Sequence, residues 1–71
     1  MNPLSPTWSQ RLRAARLNLG DDQEEMGKRL GVSREWISKI ENGREEMGEL
    51  IQIKLARIEQ DIQNAPDASA V

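Results

Sequence analysis

Gly20, Gly31 and Gly43 cut the chain into short segments, and each segment carries an apolar repeat of three or four residues. Glycine takes the left-handed backbone that ends a helix. A chain punctuated in this way forms short helices, and short helices are stable only when packed on one another. The first helix is expected to start near Ser5, with Ser5 as cap and Pro6 at the first helical position, where no N–H is needed. Trp8, Leu12, Ala15 and Leu19 follow in one stripe up to Gly20, with Gln10, Arg11 and Arg13 pointing elsewhere. A second helix starts at Asp22, where Asp22-x-x-Glu25 has the form of a capping box and the acids complement the helix dipole. Met26 and Leu30 face its core side, and Gly31 ends it. A third helix starts at Ser33 and stops at about Asn42, before Gly43, with Val32 plugging the gap between the two. Met47, Leu50, Ile51, Leu55, Ile58 and Ile62 then recur in a fourth helix beginning around Glu46 to Glu49.

Strand signals are weak: β-branched and aromatic residues are few, and no period-2 run occurs. The expectation is an all-α, compact bundle of four or five helices in one domain, residues 1–63, followed by a disordered tail, residues 64–71, reading "NAPDASAV". A chain of 71 residues without cysteine or histidine has neither disulfides nor thiolate or imidazole metal ligands to staple it. Its stability must come from helix packing. Catalysis is not expected, because there is no His, no Cys and no Gly-rich phosphate loop. The acid pairs Asp21–Asp22 and Glu24–Glu25 read as a solvated helix start rather than as acid/base machinery. No cofactor, metal or small-molecule ligand is expected. No apolar run reaches the ~20 residues that span a bilayer, and "MNPLSPTW" is not a signal peptide. A cytoplasmic protein with no membrane partner is expected.

The formal net charge of −2 is unevenly placed. From Trp8 to Arg44 eight basic side chains face six acidic ones; from Glu45 onward two basic side chains face six acidic ones. The acidity therefore sits in the C-terminal third, and distribution matters more than the sum for a nucleic-acid partner.

On a helical wheel, Arg34, Ser38, Asn42, Glu35 and Lys39 fall within an arc of roughly 140°. Trp36, Ile37, Ile40 and Glu41 occupy the other side, and the apolar part is just wide enough to dock on a small core. The mixed polar front suits the donors and acceptors of the DNA major groove: Arg34 and Lys39 can donate to guanine, Glu35 can accept from cytosine, and Ser38 can do either. An ordinary solvated face looks much the same. The arrangement around it is more specific, because two short helices joined by a glycine-containing turn form a helix-turn-helix. Gln23 lies in the first turn of the preceding helix, where its amide and free backbone N–H groups can bind a phosphate. Asn42 and Arg44 flank the far end of the next helix.

Taken together, Gln23-x-x-Met26-Gly27, Gly31-Val32-Ser33 and Ile37-Ser38-x-Ile40-Glu41-Asn42-Gly43 resemble the Cro/phage-repressor-like helix-turn-helix domain, from about Arg11 to Ala56. The resemblance implies a lambda-repressor-like helix bundle, bacterial or phage in origin, that binds operator DNA as a homodimer. It implies that Gln23 contacts phosphate, that Arg34, Glu35, Ser38 and Lys39 face bases, and that Asn42 and Arg44 contact the backbone. It also implies a partly buried ion pair between Arg16 and Glu41 that ties the first helix to the end of the recognition helix. The chain departs from the family at Asp21, where an apolar residue is usual and Leu19 or Trp8 is expected to compensate. It departs again at Gly27, in place of a small alanine, and at the large Trp36, expected to cover the helix-turn-helix core in preference to stacking on a DNA sugar or phosphate.

The function expected is sequence-specific binding of double-stranded DNA by a small transcriptional regulator, through recognition helix 33–42. Dimerisation is expected through Leu50, Ile51, Leu55, Ile58 and Ile62, a stripe longer than one small core needs. The rivals are a protein-interaction module that keeps the fold and an antitoxin subunit with a partner protein. The first draws on the acids Asp21, Asp22, Glu24 and Glu25 close to Gln23.

Overall fold

The computed structural model describes residues 7–64. They form four α-helices: α1 (Trp8–Leu19), α2 (Gln23–Leu30), α3 (Arg34–Glu41) and α4 (Glu49–Asn64). The expected cap Ser5 and its neighbour Pro6 lie outside the described residues, and the cap of α1 is Thr7. Thr7 Oγ1 accepts from the Gln10 N–H at 3.2 Å, and Gln10 Oε1 accepts from the Thr7 N–H at 2.9 Å. Asn64 is the last residue of α4 rather than the first of a tail, and residues 65–71 lie outside the described residues.

The helix starts follow local side-chain chemistry. Asp22 Oδ1 accepts from the Glu25 N–H at 2.8 Å while Glu25 Oε1 accepts from the Asp22 N–H at 2.9 Å, which closes the reciprocal box at α2. Ser33 Oγ accepts from the Trp36 N–H at 3.1 Å and starts α3. The three punctuating glycines, Gly20, Gly31 and Gly43, have φ of 72°, 78° and 74°.

Tight approach of α2 to its following turn depends on Gly27. The Val32 N–H donates to the Gly27 carbonyl at 2.8 Å. A Cβ on Gly27 would stand 2.6 Å from the Val32 carbonyl oxygen, a backbone atom that cannot swing aside. An alanine at this position would force the turn to shift, and the helix-propensity penalty of roughly 1 kcal/mol for glycine is the lesser term.

Leu12, Ala15, Met26, Leu30, Ile37, Ile40, Met47 and Leu55 make the core, with Trp8, Leu19, Val32, Trp36, Ile51, Ile58 and Ile62 partly buried around it. Met47 is not on α4 as the periodicity suggests. It sits in the connection before the helix, still buried, and its carbonyl accepts from Gln52 Nε2 at 2.9 Å. The Gly48 carbonyl takes the first bond of α4, from the Gln52 N–H at 2.9 Å.

Asp21 is the buried charged residue of the described chain, and Leu19 and Trp8 pack, partly buried, against the core. Arg29 reaches back from α2 and donates from Nε and Nη2 to the two carboxylate oxygens of Asp21. This hydrogen bond holds the Arg29 guanidinium above its ordinary pKa. A buried carboxylate is tolerated when paired in this manner.

The stripe expected to form a dimer is mostly consumed inside the monomer. Leu55 is fully buried, and Ile51, Ile58 and Ile62 pack against the core. The outward face of α4 instead carries Leu50, 64% exposed, and Ile53, 61% exposed. An apolar stripe wider than ~100° wraps round a helix until part of it faces solvent. No helix among the described residues is long and apolar enough to cross a membrane.

Candidate nucleic-acid interface

α2 and α3 are joined by Gly31-Val32-Ser33, and α3 is held from behind by Ile37 and Ile40, both fully buried or nearly so. Trp36 is partly buried and packs against the same core. Anchoring the back of α3 leaves its polar front outside.

Gln23, Arg34, Glu35, Ser38 and Lys39 line one open hollow at the surface. Gln23 reaches it from the first position of α2, and the other four from the front of α3. Asn42 and Arg44 are exposed beyond the end of α3 and do not line this hollow. The Arg44 N–H donates to the Lys39 carbonyl at 2.8 Å, so the chain folds back over the last turn. Asn42 Nδ2 donates to Ser38 Oγ at 3.4 Å, a long and exposed bond.

The charges at the front are only loosely held. Arg34 Nη2 and Glu35 Oε1 are 3.6 Å apart, on side chains 64% and 70% exposed. Such a pair contributes about 0–1 kcal/mol and parts readily for another partner. The N–H groups of Gln23 and Glu24 precede the first backbone bond of α2, from the Met26 N–H to the Asp22 carbonyl at 3.0 Å. They face out of the positive end of the helix.

Behind the hollow the polar side chains are firmly tied. Arg16 Nε donates to Glu41 Oε2 at 2.7 Å and Arg16 Nη2 to Glu41 Oε1 at 3.2 Å, joining α1 to the end of α3. Arg16 Nη1 donates to the Asp21 carbonyl at 3.1 Å, which fixes the chain just before α2. The hydrogen bond that Arg16 donates to Glu41 raises the Arg16 pKa, against the opposing effect of burial. Glu41 Oε1 also accepts from Gln23 Nε2 at 3.3 Å.

Two residues at this surface escape sequence reasoning as candidates. Glu24 and Lys28, one turn apart on α2, line a second hollow with Val32, Ser33, Arg34 and Glu35. Their spacing of four places them on one face of α2, but only the packing of α2 on α3 turns that face toward Arg34. Of the four acids near Gln23, Asp21 is buried against Arg29, and Asp22 and Glu25 hold each other in the capping box. Glu24 remains at the α3 side, with Lys28 beside it.

The model of a family described as a helix-turn-helix domain matches residues 9–57. No curated protein and no solved structure matches the chain.

Proposed function

Since the chain belongs to the helix-turn-helix domain family, we propose that it binds double-stranded DNA at a specific sequence, as a small transcriptional regulator acting at an operator. The observation that supports this best is the shared hollow, which collects one side chain from the start of α2 and four from the front of α3. In this reading α3 enters the major groove, and Arg34, Glu35, Ser38 and Lys39 meet base edges. Gln23, with the free N–H groups of the α2 start, binds a phosphate, and Asn42 and Arg44 hold the backbone at the other end. Lys28 adds a further cation beside Arg34. The mode is that of the Cro/phage-repressor-like branch, in a bacterial or phage-infected cytoplasm, and no catalytic step is part of it.

A homodimer reads two half-sites about 34 Å apart. Leu50 and Ile53 on the outer face of α4 are the surface for it, in place of the buried Leu55 and the partly buried isoleucines. In an antiparallel α4 pair centred on Ile53, Glu49 of one copy meets Arg57 of the other, since each lies four residues from the centre.

Selection from a random-sequence duplex library at low and moderate salt tests the reading. Enrichment of a motif with salt-dependent retention is expected. Absence of both would assign the domain to protein interaction, as the Glu24 carboxylate beside α3 would then suggest.

A further inference from the structure

We infer that Glu41 is a positioning residue for Gln23: it orients the Gln23 amide in the free protein so that the side chain meets a phosphate already set. The inference rests on the DNA-binding reading above and gives the buried ion pair a task at the interface. The Glu41 side chain is only 5% exposed. Its two oxygens take three donors, Arg16 Nε at 2.7 Å, Arg16 Nη2 at 3.2 Å and Gln23 Nε2 at 3.3 Å.

The chemistry removes the ambiguity of an amide. An ionised carboxylate only accepts, so Gln23 must turn its nitrogen, not its oxygen, toward Glu41. One N–H of Nε2 is then committed inward. The second N–H and the carbonyl oxygen remain for the hollow that Gln23 shares with Arg34, Glu35, Ser38 and Lys39. A phosphate needs a donor, and the second N–H supplies it beside the free backbone N–H groups of α2.

The backbone is set by the same network. Arg16, gripping Glu41 with two nitrogens, uses its third on the Asp21 carbonyl, two residues before Gln23. One guanidinium thus holds the chain entering α2 while its carboxylate partner holds the side chain leaving it. An exposed glutamine that is ordered only on binding loses rotamer freedom at that moment. Orienting it beforehand is worth about three- to tenfold in affinity, by the ordinary conversion of side-chain ordering into binding constants.

The test compares wild type, E41Q, Q23A and the double variant in the whole chain. The first measurement is the Gln23 side-chain amide resonance pair in the free protein, assigned through Q23A. E41Q is expected to move it toward the position of a free glutamine. The second is affinity for the duplex that the library selects. E41Q is expected to weaken binding about three- to tenfold when Gln23 is present and less than twofold when residue 23 is alanine. An equal affinity loss in both backgrounds would make Glu41 merely structural and overturn the inference, as would an unmoved Gln23 resonance. If E41Q does not fold, E41D keeps a carboxylate at residue 41 while drawing both of its oxygens back by one methylene, and the same comparison applies. Should wild type select no duplex while the resonance still moves, the DNA-binding reading fails and the phosphate role with it. Should it select a duplex while the resonance stays fixed, only the positioning role fails.

Discussion

α3 and α4 are both amphipathic, but they are held in different ways. α3 has eight residues, a buried apolar back and, at its last residue, a nearly buried carboxylate tied to α1 and α2. α4 has sixteen residues, yet Leu55 is the one fully buried among them. Its polar tie to α1 is Arg11–Glu59, with Arg11 Nε donating to Glu59 Oε2 at 3.0 Å, on side chains 32% and 25% exposed. Arg11 also lies over the Trp8 ring, 3.9 Å from its centre. The difference teaches that apolar content is a poor guide to how firmly a helix is fixed. The short helix is locked in position by polar groups, while the long one keeps two large apolar side chains in solvent.

The sharpest test of α4 is its inner plug. Leu55→Ala is expected to destabilise the domain by about 3–4 kcal/mol in chemical denaturation, within the range for a buried leucine truncated to alanine. For a chain this small that is most of its stability. A loss under 1 kcal/mol would mean that α4 is dispensable to the core and would break the contrast from its other side.

The two ion pairs are next. Glu41→Ala leaves Arg16 without its partner in a nearly buried place and is expected to cost about 2–3 kcal/mol. This is below the ~3–5 kcal/mol of a fully buried pair, because Arg16 regains some water. Glu59→Ala, in the more exposed pair, is expected to cost under about 1 kcal/mol. Equal losses measured by urea titration would erase the distinction between the helices.

Gly27→Ala sets helix propensity against packing. Propensity alone favours alanine by roughly 1 kcal/mol. The approach to the Val32 carbonyl reverses the sign, so a net loss of about 1–2 kcal/mol is expected from the melting curve. A stabilised variant would show that the turn between α2 and α3 gives way easily, and that α3 is not as firmly placed as the comparison holds.

The smallest effect on the monomer is expected from Leu50→Lys with Ile53→Lys. Both side chains are exposed, so monomer stability should change by less than ~0.5 kcal/mol. Sedimentation equilibrium should nevertheless show association weakened or lost. Unchanged association would remove the α4 surface as the dimer interface.

Much of this architecture was legible in the residues. Asp22 with Glu25, Ser33 alone, and the glycines at 20, 31 and 43 act through bonds a few residues long, and so do the steps of three and four that mark the core. Local errors arose where two local rules competed. Thr7 with Gln10 forms a capping box that Ser5 and Pro6 obscured. Met47 continued the apolar period of α4 while standing outside it, since burial of a side chain does not require its backbone to be helical.

The sequence by itself determined the helical class, the short α2–turn–α3 unit and the polar front of α3, because each depends on contacts within about one turn or on a periodicity of 3.6 residues. The tertiary structure alone decided the rest. It turned Asp21 inward against Arg29, brought Lys28 beside Arg34, placed Gln23 on Glu41 and left Leu50 and Ile53 outside. These depend on which faces meet when the helices pack, and residues six, eight or eighteen apart in the chain, on different elements, carry no local signal of their meeting.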